Sequence, residues 1–177
     1  MIEQYEHNGH TIEIHHDDDP TNPRDYANIG HFIFWHNRYE LGDKHEFTPE
    51  DFHAFKEENP NNIYLPVYMY DHSGITISTS PFSCSWDSGQ IGWAYAKAED
   101  VHNEFNGDFS KATSSLQLEI EEYDDFISGN FYGYRVMDGD KLIESSWGFN
   151  GIETCKSQAQ EVSLCARYPH VGFVPIP

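Results

Sequence analysis

Six polar residues that could do chemistry lie close together between β-rich runs of this chain. They are Asp71, His72, Ser73, Cys84, Asp87 and Ser88. A serine or cysteine nucleophile needs a base within hydrogen-bond reach and a third group that orients the base. Ser73 or Cys84, together with His72 and Asp87, would supply these residue types. The six residues are therefore candidates for lining a ligand pocket.

Turn chemistry is the competing interpretation of the same residues. No GxSxG elbow surrounds either nucleophile, and the adjacent His72 and Ser73 would point apart if the backbone is extended there. Asp and Ser side chains beside Gly74 and Gly89 are typical of residues that cap loop amides. We favour this structural interpretation and assign no catalytic residue.

A run of acids on a predicted helix is the second candidate site. Its members are Glu119, Glu121, Glu122, Asp124 and Asp125. Duplex DNA carries one charge per about 1.7 Å of axis, and carboxylates on a rigid helix can imitate that density. These acids are candidates for binding a partner, and an ordinary solvated helix face is the alternative.

An acidic loop between prolines is the third candidate. It contributes Asp17, Asp18, Asp19 and Asp25. Calcium and magnesium take oxygen ligands from flexible loops, although this spacing does not match an EF-hand. We predict a calcium or magnesium site here, with solvated loop charges as the alternative. No sequence motif requires a cofactor.

The charge balance limits the partners that this protein can have. The formal net charge is −20, with 30 acidic against 10 basic residues. Such a surface repels nucleic acid and anionic membranes, and it favours basic proteins or cations. No apolar run approaches the roughly 20 residues of a membrane-spanning helix. Trp86, Trp93 and Trp147 could anchor a protein interface, but core packing is the favoured interpretation for each.

Residue patterning predicts the elements that position these groups. Strands are expected near 64–70, 74–79 and 90–97, and hairpins pair 1–6 with 10–16 and 131–136 with 142–147. Helices are expected over 49–58, 98–105, 111–127 and 152–166. This pattern predicts one α+β domain over 1–177, with a mainly antiparallel sheet and two to four helices on one face.

Three long blocks of this sequence resemble a family of accessory proteins carried by tailed phages and related mobile elements. The blocks are NPRDYANIGHFIFWHNRYELGDKH, LPVYMYDHSGITISTSPFSCSWDSGQIGWAYA and EIEEYDDFISGNFYGYRVMDGDKLIESSWGF. They cover most of residues 10–150 in the same order, while Tyr26 and Phe32–Phe34 depart from the family pattern. The resemblance implies a phage-encoded protein that works in the cytoplasm of a bacterial host. It brings no catalytic assignment.

Charge and resemblance together predict an inhibitor of a bacterial defence system, of the anti-CRISPR or antirestriction type. Its partner would be a basic host protein whose nucleic-acid groove it occupies, without direct contact with nucleic acid or membrane. The alternative function uses the cluster at 71–88, in a small hydrolase or in a protein that sequesters a nucleotide immune signal. The oligomeric state is left open by the sequence.

Overall fold

The computed structural model describes residues 1–167, which form eight β-strands and four α-helices. The helices are α1 (Pro49–Glu58), α2 (Ala98–Phe105), α3 (Phe109–Ser128) and α4 (Ile152–Arg167). The strands are β1 (Glu3–His7), β2 (His10–His16), β3 (His31–Phe34), β4 (Ile63–Asp71), β5 (Ile75–Ser78), β6 (Ser88–Ala96), β7 (Phe131–Asp138) and β8 (Lys141–Asn150). All strand pairs are antiparallel, which confirms the α+β class. From Pro169 onwards the sequence, with scattered apolar residues, predicts a tail, and this segment lies outside the described residues.

The first of two compact units comprises residues 1–21 and, within the described chain, 129–167. Its sheet has the order β1-β2-β7-β8. Asn8 and Gly9 both have positive φ, 54° and 84°, so they make the tight hairpin turn that the Asn-Gly pair predicts. Helix α4 covers this sheet and buries Cys155 against Ile12 and Tyr134.

The second unit comprises residues 22–128, and its sheet has the order β3-β6-β4-β5. Successive side chains of a strand point to opposite faces, so both faces of this sheet acquire a core. Phe32 and Ala94 pack with Leu116 of α3 on one face. Tyr95 packs with Phe52 of α1 on the other face.

The packing differs from the sequence prediction in two respects. The strands form two sheets instead of one, because the two terminal hairpins join each other through β2 and β7. Helices α3 and α4, which were expected to cover the same sheet face, lie on different sheets. Pairing between strands more than a hundred residues apart leaves no signal in local patterning. The single domain over 1–177 stays a prediction beside these two compact units.

A buried guanidinium group joins three segments of the second unit. Arg24, whose side chain is 8% exposed, forms a bidentate salt bridge with Asp43, with N–O distances of 2.8 and 3.0 Å. It also donates to the Gly30 carbonyl at 2.6 Å and to Glu119 at 3.4 Å. Its guanidinium carbon lies 3.8 Å from the centre of the Phe32 ring. The contacts connect the loop before β3, the loop after β3, and α3.

Two arginine–aspartate pairs have the same shortest distance but differ in burial, so we expect their contributions to the free energy of unfolding to differ. Arg24 to Asp43 and Arg38 to Asp71 both measure 2.8 Å, but the Arg38 side chain is 70% exposed. Arg24→Met should lower the free energy of unfolding by about 3 to 5 kcal/mol, because it leaves two carboxylates, 25% and 13% exposed, without their cation. Arg38→Met should cost at most about 1 kcal/mol. Urea unfolding measures both, and equal costs for the two variants would contradict the role given to burial.

Candidate functional site

The acidic run on α3 divides into inward and outward carboxylates. Glu119 accepts hydrogen bonds from the backbone N–H groups of Ile29 at 2.9 Å and Gly30 at 3.0 Å, and it contacts Arg24. These hydrogen bonds connect the Glu119 side chain to the backbone before β3, inside the second unit. It therefore does not belong to the solvent-facing surface on which the sequence analysis placed it.

Asp124 is the second inward carboxylate of α3. It accepts a hydrogen bond from the backbone N–H of Ile77 at 2.6 Å and another from the Thr76 hydroxyl at 3.0 Å. Burial raises the pKa of both Asp124 and Glu119, and the hydrogen bonds that each receives oppose that rise. Both residues flank the buried stripe of α3, so they satisfy backbone groups at the margin of the core.

The outward carboxylates form a different surface. Glu121 is exposed, and Glu122 and Asp125 are half-buried. Helix α2 packs against α3 and adds two exposed acids. We call the set of four glutamates on these two helices the acidic helical surface: Glu99, Glu104, Glu121 and Glu122. Leu118, 64% exposed and one turn before the last two, gives this surface an apolar side chain.

The polar cluster at 71–88 is brought together only in part. Asp71 accepts a hydrogen bond from Arg38 at 2.8 Å and lies 3.4 Å from the Tyr39 hydroxyl. Ser73 has a positive φ of 62° in the β4–β5 turn. Ser73 therefore lies in the turn itself, whereas the contacts given for the Asp71 carboxylate are with side chains of the β3–α1 loop. Capping of loop amides by these two side chains stays a prediction.

Asp87 organises the rest of the cluster. Its Oδ2 atom lies 3.3 Å from His72 Nδ1 and 3.7 Å from Cys84 Sγ. The Ser88 hydroxyl donates to the Cys84 carbonyl. His72 and Cys84 thus share one carboxylate, and the contacts of the described residues do not join the thiol to an imidazole base. A nucleophile activated by His72 is not supported by this arrangement.

A cavity of about 400 Å³ lies beside the cluster within the second unit. Of the six predicted residues, Asp71, Asp87 and Ser88 line it. The sequence analysis did not place four of its other lining residues at this site: Trp35, His36, Arg38 and Trp86. They come from the β3–α1 and β5–β6 loops, and sequence spacing gave no signal that these loops meet.

The three tryptophans considered as interface anchors differ in exposure. Trp86 is 94% exposed and Trp147 is 44% exposed, so the core packing favoured for these two residues is wrong. Trp93 is partly buried, and its ring lies 3.1 Å from the Lys56 ammonium nitrogen. Trp86 is therefore the most exposed aromatic anchor of the three.

The acidic loop makes hydrogen bonds to the backbone. Asp17 accepts from the backbone N–H groups of Gly148 at 2.9 Å and Asp19 at 3.2 Å. Asp18 is exposed, and Asp25 belongs to the second unit, whereas the other three aspartates belong to the first. Among residues 1–167, no group of three or more histidine, cysteine or acidic side chains is placed to hold a metal ion. The calcium or magnesium site at this loop stays a prediction.

Comparisons with protein-family models, curated proteins and solved structures found no match to this chain. Within residues 1–167, no helix is long and apolar enough to cross a membrane.

The buried carboxyl group of Asp124 gives a testable pH dependence. Its pKa is raised in the folded chain, so protonation stabilises the fold below the unfolded pKa of about 3.9. That contribution is lost as the pH rises through the folded pKa. In Asp124→Asn the side chain is uncharged at every pH. The melting temperature of this variant relative to wild type should therefore be higher at neutral pH than near pH 4. Thermal melts across this range measure the difference, with Glu121→Gln as an exposed control on the same helix. A difference that does not depend on pH would contradict the burial effect.

The predicted cation site is tested by melting the protein with millimolar calcium. Divalent ions that bind only the folded form raise the melting temperature by mass action. We expect calcium to raise it more than sodium chloride of equal ionic strength, and Asp18→Asn to remove that excess. If sodium chloride stabilises the protein equally, charge screening accounts for the whole effect.

Proposed function

We propose that this protein is an acidic, phage-encoded inhibitor of a bacterial nuclease-based defence system, of the anti-CRISPR or antirestriction type. It would act in the host cytoplasm by occupying a basic nucleic-acid groove of its target. The observation that carries the proposal is the acidic helical surface: Glu99, Glu104, Glu121 and Glu122. The resemblance to phage accessory proteins supports the source and setting.

The acidic helical surface has the physical properties that such an inhibitor needs. Its carboxylates stand on two helices that pack against each other, so the backbone that carries them is in place before binding. The inward Glu119 and Asp124 already have partners inside the unit, so the proposal assigns Glu121 and Glu122 of α3 to the cationic target. The exposed Leu118 adds an apolar contact between charged neighbours. Attraction between opposite charges would then steer the protein into the groove.

A ligand-sequestering function is the second candidate, and the 400 Å³ cavity is the observation that favours it. A nucleotide signal is a poor match for this cavity. Its arginine, Arg38, is already paired with Asp71, and Asp87 would repel a phosphate. The hydrolase version lacks support because Cys84 and His72 both contact Asp87 instead of each other.

Charge reversal on α3 tests the proposed inhibitor in cells. The protein is expressed in bacteria that carry a CRISPR–Cas or restriction system, and the plating efficiency of a targeted phage is measured. We expect the wild-type protein to restore plating, and Glu121→Lys/Glu122→Lys to abolish the effect. Glu57→Lys/Glu58→Lys is the matched control, since it makes the same charge change at exposed positions of α1.

Binding to the target identified by pull-down gives the second measurement. We expect the Glu121→Lys/Glu122→Lys variant to bind at least about tenfold more weakly, and wild-type affinity to fall steeply with salt. Equal losses for the α1 and α3 variants would mean that net charge alone acts. Two results would overturn the proposal. One is an affinity for the target that does not change with salt, and the other is a phage plating efficiency that the protein does not raise against any tested defence system.

A further inference from the structure

Trp86 is presented to solvent by an ordered loop. The Cys84 contact with Asp87 and the Ser88 hydrogen bond to the Cys84 carbonyl close the chain around it. The Phe82 ring packs against Tyr70 at 5.7 Å on the same loop. An indole that is 94% exposed leaves a large apolar area in water. The loop therefore holds a binding surface in place without using it for the core.

The cavity beside Trp86 has an excess of negative charge. Arg38 is paired with Asp71 at 2.8 Å, so those two charges offset each other. Asp87 contacts His72 and Cys84, neither of which carries a permanent positive charge. The Asp87 side chain is 39% exposed, so it remains accessible to a ligand. A positively charged group is the chemistry that this combination favours.

We propose that this cavity binds the guanidinium group of an arginine side chain on a basic protein partner. A guanidinium is planar, so it can stack on the Trp86 indole while its edge donates two hydrogen bonds to the Asp87 carboxylate. The cavity volume of about 400 Å³ leaves room for such a side chain. A lysine ammonium is a compact point charge that cannot make both contacts in the same way.

The source of the arginine rests on the proposed function, since the basic groove of the target would supply it. The recognition chemistry does not rest on the proposed function, because Trp86 and Asp87 would bind an arginine from any basic protein. The acidic helical surface attracts cations over a distance, whereas this cavity would distinguish one cation from another.

Nuclear magnetic resonance titration with short peptides tests the site directly. The probes are acetyl-Gly-Arg-Gly-amide and the same peptide with lysine or citrulline, and adenosine monophosphate is the anionic probe. Citrulline keeps the shape of arginine without its charge. We expect the arginine peptide to shift the Trp86 indole N–H and the backbone amides of 87–91. The lysine peptide should bind several-fold more weakly, and citrulline and the nucleotide should leave these signals unchanged.

Two variants and their matched controls decide which residues bind. Trp86→Ala and Asp87→Asn should each weaken arginine-peptide binding about tenfold. Trp147→Ala is the control for loss of an exposed indole, and Glu58→Gln is the control for loss of one negative charge at an exposed position of α1. Both variants should bind as wild type does. The exposure of Trp86 makes its removal neutral for folding, so this variant stays informative if Asp87→Asn disturbs the loop.

Three results would overturn the site. These are equal binding of the arginine and citrulline peptides, undiminished binding by Trp86→Ala, and equal losses in Asp87→Asn and Glu58→Gln. Failure of the proposed inhibitor is a separate outcome: phage plating would show no effect while the peptide still binds at Trp86. Conversely, if Glu121→Lys/Glu122→Lys abolishes target binding and Trp86→Ala does not change it, the target does not supply the arginine, and the proposed inhibitor remains.

Discussion

The guanidinium group of Arg24 makes the contacts that connect the loops around β3 with α3 in the second unit. It is one of ten basic residues in a chain with thirty acids, and it lies almost fully buried. Burial of a charge is costly unless partners replace its water. Here Asp43, Glu119, the Gly30 carbonyl and the Phe32 ring replace it. One cation thus makes two carboxylates compatible with the edge of the core and fixes the loops on either side of β3 against α3.

Hydrogen bonds inside the second unit divide the acids of α3 into two groups. Glu119 and Asp124 satisfy backbone amides from other segments, so their charges serve folding. The acidic helical surface keeps its charges in solvent. Like charges on a small domain repel one another and weaken the compact state. A basic partner would relieve that repulsion on binding, which is a physical reason for such a surface to bind strongly and to depend on salt.

Local signals explain most of what the sequence could predict. The Asn8–Gly9 turn and the start of α1 at Pro49, after the Thr48 cap, each depend on residues only a few positions apart. The apolar stripe of α3 is likewise visible in spacing alone. The roles of the acids are not local. The Glu119 carboxylate accepts a hydrogen bond from the backbone N–H of Ile29, ninety positions earlier. The inward orientation of this side chain therefore follows from tertiary packing, which the periodicity of the helix does not reveal.

The candidate site was harder to predict for the same reason. Asp71, Asp87 and Ser88 were identified by residue type, and they do line a cavity. Trp86 was assigned to the core because tryptophan is usually buried, and no local pattern marks an indole that a loop holds outside.

Charge and shape would contribute differently to recognition by this protein. Coulomb attraction to the acidic helical surface is long-ranged and tolerant of position, so it speeds the encounter with any basic surface. It also weakens as salt rises, and it discriminates poorly between partners. The proposed site at Trp86 would act at contact distance, where a planar cation would have to match both an indole face and a carboxylate edge. Salt screens this short contact less. Selectivity among basic proteins would therefore persist at salt concentrations that already slow association, because the two properties reside in different residues of the second unit.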